Sequence, residues 1–228
     1  MNERSFLGLR GAKNRINFKL RICPPMTAPV ATADLRSAMI LASVHRAFME
    51  KGFDGASMQD LAREAGMSVG NFYRYFPSKA ALVEAIITAD LAELEQDFSV
   101  IIGSPNPMKS LRLTIQRHVE ESLCDGQGRL WAEITAAALR KPDIAAIVGR
   151  MEIDLSHYLT TVFSLTSGLT LQETVKRFAG HASLVMLMVK ASAMQACTTS
   201  VHRAELTALV LRTINQTLDE IPQIPLKG

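Results

Sequence analysis

The chain has 228 residues, of which 48% are apolar, 21% charged and 6% aromatic, with 13 Gly and 9 Pro. That composition excludes collagen-like, low-complexity and wholly disordered chains, and it leaves room for one large domain or two modest ones around a real core. The net charge of +3 hides an asymmetry: residues 1–80 carry 12 Lys and Arg against 6 Asp and Glu, residues 81–228 carry 13 against 16, so a basic first third suited to a polyanion precedes a mildly acidic remainder.

Residues 1–33 scatter Arg4, Arg10, Lys13, Arg15, Lys19 and Arg21 among Gly and Asn, ahead of Pro24, Pro25 and Pro29. They are expected to form a disordered basic arm able to reach phosphates or a minor groove; alternatively, Met26 begins the folded protein. The arm lacks the apolar stretch of a signal peptide. The strongest apolar run, Leu184–Val189, stops at Lys190, so no membrane span is expected. Cys23, Cys124 and Cys197 stand far apart, an odd count with no CxxC pair. Neither a disulfide framework nor a zinc site is expected, and a reducing cytoplasm fits.

The remainder reads as helix throughout. Ile40, Val44, Ala47 and Phe48 make one stripe of a helix from about Asp34 to Lys51, ended by Gly52. Ser57 with Asp60 resembles a capping box and opens a short helix to about Ala65. Gly66 breaks it, Ser68 caps a further short helix to Phe76, and Ser78 starts a longer one to about Gly103. Ser104-Pro105-Asn106-Pro107 is a boundary. Helices then run from Pro107 to about Cys124, over Trp131–Leu139 and from Pro142 to about Leu165, the first interrupted by Asp125-Gly126-Gln127-Gly128. Thr170 with Glu173 caps a helix carrying Leu171, Val175, Phe178, Ala182, Val185, Met186 and Val189, and a last helix spans about Ala204–Asp219. With no segment of strand character, the expected class is all-α: a helix-turn-helix unit at 34–80 and a larger helical domain at 81–228.

Two short helices joined by the turn Gly66-Met67-Ser68 are the helix-turn-helix arrangement. Leu61 and Ala62 pack the first helix inward. The second turns Asn71, Tyr73, Arg74 and Tyr75 outward around an inward Phe72 and Phe76.

The run from Ile40-Leu41 through Phe48–Asp54, Ser57–Ala62 and Ala65–Lys79 resembles the DNA-binding domain of the tetracycline-repressor (TetR/AcrR) family over about forty residues with its spacing intact. It departs at Ser43-Val44, where an Ala pair is usual, and at Ala56, where Thr is common. The resemblance implies that the helix Ser68–Phe76 enters the major groove, whose base edges are distinguishable. Val69, Gly70 and Asn71 would read bases at its start, Gly70 permitting close approach. Tyr73, Tyr75 and Lys79 would meet phosphates, Arg74 guanine or phosphate, and Ser57 and Ser68 would lie at the same DNA surface. The tyrosines have half-buried packing as their alternative role.

The resemblance also implies a C-terminal domain that dimerises and binds a small molecule. The last two helices, about 170–197 and 204–219, would join their counterparts in a four-helix bundle, so that a homodimer reads an approximately palindromic double-stranded operator. The methionines, with Phe163 and Phe178, suggest a deformable apolar interior. A small apolar or amphipathic effector is therefore expected near His118, Trp131, Tyr158, Phe163, His181 and Met186, and the protein reads as a repressor that such an effector releases. Trp131 has core packing as its alternative role. An effector-independent, architectural DNA-binding protein is the alternative within nucleic-acid binding; an enzyme or signalling module carrying a helix-turn-helix is the alternative from another class.

Gly66-Met67-Ser68-Val69-Gly70 also spells the GxSxG of serine hydrolases, but that chemistry needs a strand before the serine. Here a helix precedes it, and Ser68 is better explained as a cap. His45, His118, His157, His181 and His202 show no metal spacing. No catalytic residue, metal or cofactor is expected.

Overall fold

The computed structural model describes residues 32–122, 127–195 and 202–223, and the nine helices among them occur with no strand. Residues 1–31 of the expected basic arm and the three cysteines lie outside the described residues, while Thr32 and Ala33, expected in the arm, already belong to the first helix. In chain order the helices are α1 (Thr32–Lys51), α2 (Met58–Glu64), α3 (Val69–Tyr75), α4 (Lys79–Ile102), α5 (Pro107–Ser122), α6 (Gln127–Ala138), α7 (Pro142–Ser167), α8 (Leu171–Gln195) and α9 (Arg203–Asp219).

Local chemistry sets most of these boundaries. Ser57 Oγ accepts the Asp60 amide at 3.1 Å while the Asp60 carboxylate accepts the Ser57 amide at 3.0 Å, so two of the donors orphaned at the start of α2 are satisfied reciprocally. Thr170 and Glu173 make the same exchange ahead of α8. Ser68 and Ser78 cap α3 and α4 through the amides of Asn71 and Ala81. Pro142 stands in the first turn of α7, where its missing N–H costs nothing.

Two apolar cores are stacked along α4 and α7. The first joins Val44, Phe48, Phe53, Leu61, Phe72 and Leu82 to Leu130 and Ile134 of α6 and to Ile144 and Ile147 of α7. The second joins Phe98 and Ile101 to Leu111 of α5, Phe163 of α7, Val185 of α8 and Leu218 of α9. The start of α4 therefore belongs to one core and its end to the other, making it a beam common to both.

Gly128 differs from its sequence reading. It does not interrupt a helix; it lies buried inside α6, where a Cβ would stand 1.7 Å from the Ala193 carbonyl oxygen of α8. The glycine is there because two helix backbones touch. On α8, Ala182 and Val185 face the core together with Thr174 and Ser192, whereas Leu171 and Val175 point outward. The buried hydroxyls bond their own helix: Ser43 to the Met39 carbonyl at 3.1 Å, and Thr160 to Ser156, Thr174 to Thr170, Ser192 to Met188 and Thr217 to Thr213 at 2.8 or 2.9 Å.

Candidate nucleic-acid interface

The turn between α2 and α3 is made by Gly66, whose φ of +64 lies in the left-handed region that a side chain disfavours. Met67 then donates its amide back to the Ala62 carbonyl at 2.9 Å. Ser68, extended at φ −66 and ψ 145, starts α3 with its Oγ on the Asn71 amide at 3.3 Å. The hydroxyl follows a helix and serves a backbone amide, the geometry of a cap and not of a nucleophile on a strand-to-helix elbow.

α3 is anchored by one face. Phe72 is fully buried, Phe76 nearly so, and their rings lie 5.8 Å apart. The other face carries Val69, Gly70, Tyr73, Arg74 and Tyr75 exposed and Asn71 half-buried. Arg74 makes no ion pair among the described residues, and nothing lies within 4 Å of a Cβ built on Gly70. An open depression of about 590 Å³ runs beside this face, lined by Gln59, Arg63 and the Gly66–Val69 turn.

Lys79 is turned differently from Tyr73 and Arg74. Its ammonium donates to the carbonyl oxygens of Phe53 at 2.7 Å and Asp54 at 3.2 Å and sits 5.3 Å from the centre of the Phe53 ring. Burial pushes its pKa down. Ser57 is occupied by its capping box, and Asp60 there is held well below the usual carboxylate range by the Ser57 hydroxyl and then by Lys51.

The turn between α1 and α2 is gripped from outside as well. The Phe53 amide donates to Glu133 Oε2 of α6 at 2.8 Å, and Asp54 pairs with Arg140 at 2.8 Å and Lys141 at 3.0 Å. These two cations lower the Asp54 pKa, Lys141 foremost.

Of the six residues expected at an effector site, five gather around the second core. Phe163 is wholly buried in it, and Met186 packs against it. Tyr158 stacks on Phe98 with ring centres 5.0 Å apart, and burial, then Glu95 and Asp154, raise its pKa. The His118 Nε2 is buried 3.5 Å from Asp97 with no hydrogen bond of its own. His181 Nε2 lies 2.8 Å from Glu220, with Phe178 edge-on to its ring. Trp131 stands apart, packed on the first core. Sequence reasoning missed Asp90, half-buried on α4, whose pKa burial and then Glu93 push up to about 7. The signal was available: an acid spaced four residues from both Ile86 and Leu94 interrupts the apolar stripe of α4. Among the described residues no group of three His, Cys, Asp or Glu could hold a metal ion, and no helix is long and apolar enough to cross a membrane.

Residues 40–86 match the family model for bacterial regulatory proteins of the tetR family. The regulator UidR of Escherichia coli K12 is 29% identical over 120 residues, which cover 53% of this chain and 60% of the relative, so the chain spans about three fifths of that relative's length. The GusR structure from Salmonella enterica superposes with a TM-score of 0.67 at 22% identity, covering 85% of this chain and 98% of that one. The crystal structure of AibR in complex with isovaleryl coenzyme A and operator DNA gives 0.57 at 17% identity and covers 83% and 100%. These two likenesses establish a shared fold. Residues 40–86 are therefore a helix-turn-helix domain of the tetR type, set in a helical frame whose fold is shared with these solved regulators.

Proposed function

We propose that the protein is a cytoplasmic, homodimeric transcriptional regulator, a repressor that reads an approximately palindromic operator through α3. The observation that carries this is the two-sidedness of α3: Phe72 and Phe76 fix it to the core while Val69, Gly70, Asn71, Tyr73, Arg74 and Tyr75 are offered outward. A helix so presented fits the width of the major groove, and its first residues reach base edges. In this reading Val69, Gly70 and Asn71 touch bases and Arg74 reaches guanine or phosphate. Tyr73, Tyr75, Lys79 and the caps Ser57 and Ser68 lie along the phosphates.

Residues 34–80 are the reading domain and 81–228 the effector and dimerisation domain in this proposal. The outward leucines of α8 and α9, Leu184, Leu187 and Leu209, supply an apolar face for a second copy. The effector is a small apolar or amphipathic molecule held near the second core by groups such as His118, Tyr158 and Met186. The isovaleryl coenzyme A in complex with AibR is amphipathic in that sense.

The test is equilibrium binding to a duplex selected from the protein's own genome and to a random duplex, across salt concentrations. Specific reading gives a ratio of at least about 10³ between them, and Asn71→Ala changes the order of preference among sequences. Equal affinity for both duplexes overturns the regulator in favour of an architectural DNA-binding protein.

A further inference from the structure

We propose that Glu133 is a positioning residue for DNA reading: its carboxylate, reaching from α6 to the Phe53 amide, fixes the angle at which the α1–α3 unit presents α3. The inference rests on the function proposed above and adds what aims the reading helix.

The turn Gly52–Asp54 is where the reading unit meets the rest of the molecule: Gly52 bonds within the unit, to Phe48 and Ala56, but Phe53 and Asp54 are partnered from outside α1–α3. Lys79 takes the two carbonyls, Arg140 and Lys141 take the Asp54 carboxylate, and Glu133 takes the Phe53 amide. Among these partners Glu133 alone sits in the body of a packed helix. Its neighbour Ile134 is wholly buried, and Leu130 and Ala137, on either side, belong to the first core. Its carboxylate lies flush on the turn, 3.1 Å from where a Gly52 Cβ would stand. A bond from an N–H to a charged oxygen is among the stronger hydrogen bonds, and a broken one leaves the amide without its partner.

α6 is fixed at a second point. Gly128, five residues before Glu133, puts its backbone against Ala193 of α8 with no room for a side chain. One rigid helix therefore touches α8 at its start and holds the α1–α2 turn at its middle. A shift of α6 relative to α8 must either carry the Phe53 amide with it or break the bond. Because α3 is packed on the same core as Phe53 through Phe72, the aim of the reading helix follows the turn. A two-fold reader with altered aim misfits its half-site spacing, while contacts that track phosphates alone survive.

The experiment uses the full-length protein, a duplex selected by the wild type from a random-sequence library, and a scrambled duplex of the same composition. Binding is measured alongside hydrogen exchange at the Phe53 amide. Glu133→Ala is expected to weaken the selected duplex roughly ten-fold, within the range of ordinary coupling between sites. It should leave the scrambled duplex unchanged and speed Phe53 exchange. Glu133→Gln keeps an acceptor oxygen at the same reach and is expected to restore both, whereas Glu133→Asp, charged but too short, behaves like Ala. Should Glu133→Ala not fold, the Gln and Asp variants decide alone. Ala or Asp variants that bind the selected duplex as the wild type does, a Gln variant that loses it as Ala does, or variants that lose both duplexes in proportion overturn the role. A wild type with no preference for its selected duplex overturns DNA reading itself, an outcome distinct from a preference that the Glu133 variants retain.

Discussion

The Lys79 ammonium lies 2.7 Å from the carbonyl oxygen of Phe53 and 5.3 Å from the centre of the same residue's ring, so one cation fastens the first turn of α4 to the turn after α1. A hydrogen bond from a charged donor is worth about 1.5–3 kcal/mol net when buried and less at a wet site. Lys79→Ala is therefore expected to lower unfolding free energy by about 1–2 kcal/mol in urea titrations. If its remaining donor also meets a phosphate, the slope of log K against log salt becomes shallower by about 0.9 for each half-site. An unchanged slope with lowered stability would assign Lys79 to the turn alone.

Asp90 makes stability depend on pH. Its pKa of about 7 stands above the ~3.9 of an unfolded aspartate, so between those values the folded chain holds more protons than the unfolded one. Stability then falls as pH rises through about 4 to 7 and levels off above. Asp90→Asn removes that fall. The variant should exceed the wild type by about 1–3 kcal/mol near pH 8 and by little near pH 4.5, measured by urea unfolding at the two pH values. An equal difference at both would show that Asp90 does not titrate in this window.

Leu187 is 63% exposed on α8, three residues from the outward Leu184. An exposed leucine contributes little to a monomer, so Leu187→Glu should shift folding stability of the subunit by no more than about 0.5 kcal/mol. At a homodimer interface the same change buries two like charges, and analytical ultracentrifugation should find monomers that have lost operator affinity. A dimer of unchanged strength would remove this face from the interface.

Two glycines inside helices carry opposite expectations. At Gly70 an added methyl meets nothing within 4 Å, so Gly70→Ala should raise stability by roughly 0.5–1 kcal/mol through helix propensity. The same methyl should weaken operator binding if α3 lies close against DNA. At Gly128 the methyl would stand 1.7 Å from the Ala193 oxygen, and Gly128→Ala should cost about 1–3 kcal/mol by forcing α6 from α8. Thermal melts and duplex titrations of both variants check the pair.

The contrast between these glycines marks what a sequence can tell. Caps are local, so Ser57 with Asp60, Ser68, Ser78 and Thr170 with Glu173 are legible as helix starts, and the outward face of α3 follows from the spacing of Phe72 and Phe76. Gly128 reads as a breaker because nothing near it in the chain indicates that α8 lies against it. The bond from Phe53 to Glu133 spans 80 residues, and no periodicity anticipates it. Trp131 reads as an effector candidate on residue type alone; its packing on the first core depends on how α6 crosses α1, a tertiary relation. The inward turn of Lys79 is hidden for the same reason.

The hydroxyls of Thr160, Thr174, Ser192 and Thr217 each find an acceptor one turn back in their own helix. Where polar atoms inside a bundle depend on a neighbouring rod, sliding the rods strands a donor in a dry interior and is resisted. Here α7, α8 and α9 carry those acceptors along with them. They can glide past one another without stranding any of these four groups, and the polar ties that such a glide would have to break include the partly exposed pairs Lys190–Glu152, between α8 and α7, and His181–Glu220, between α8 and the end of α9.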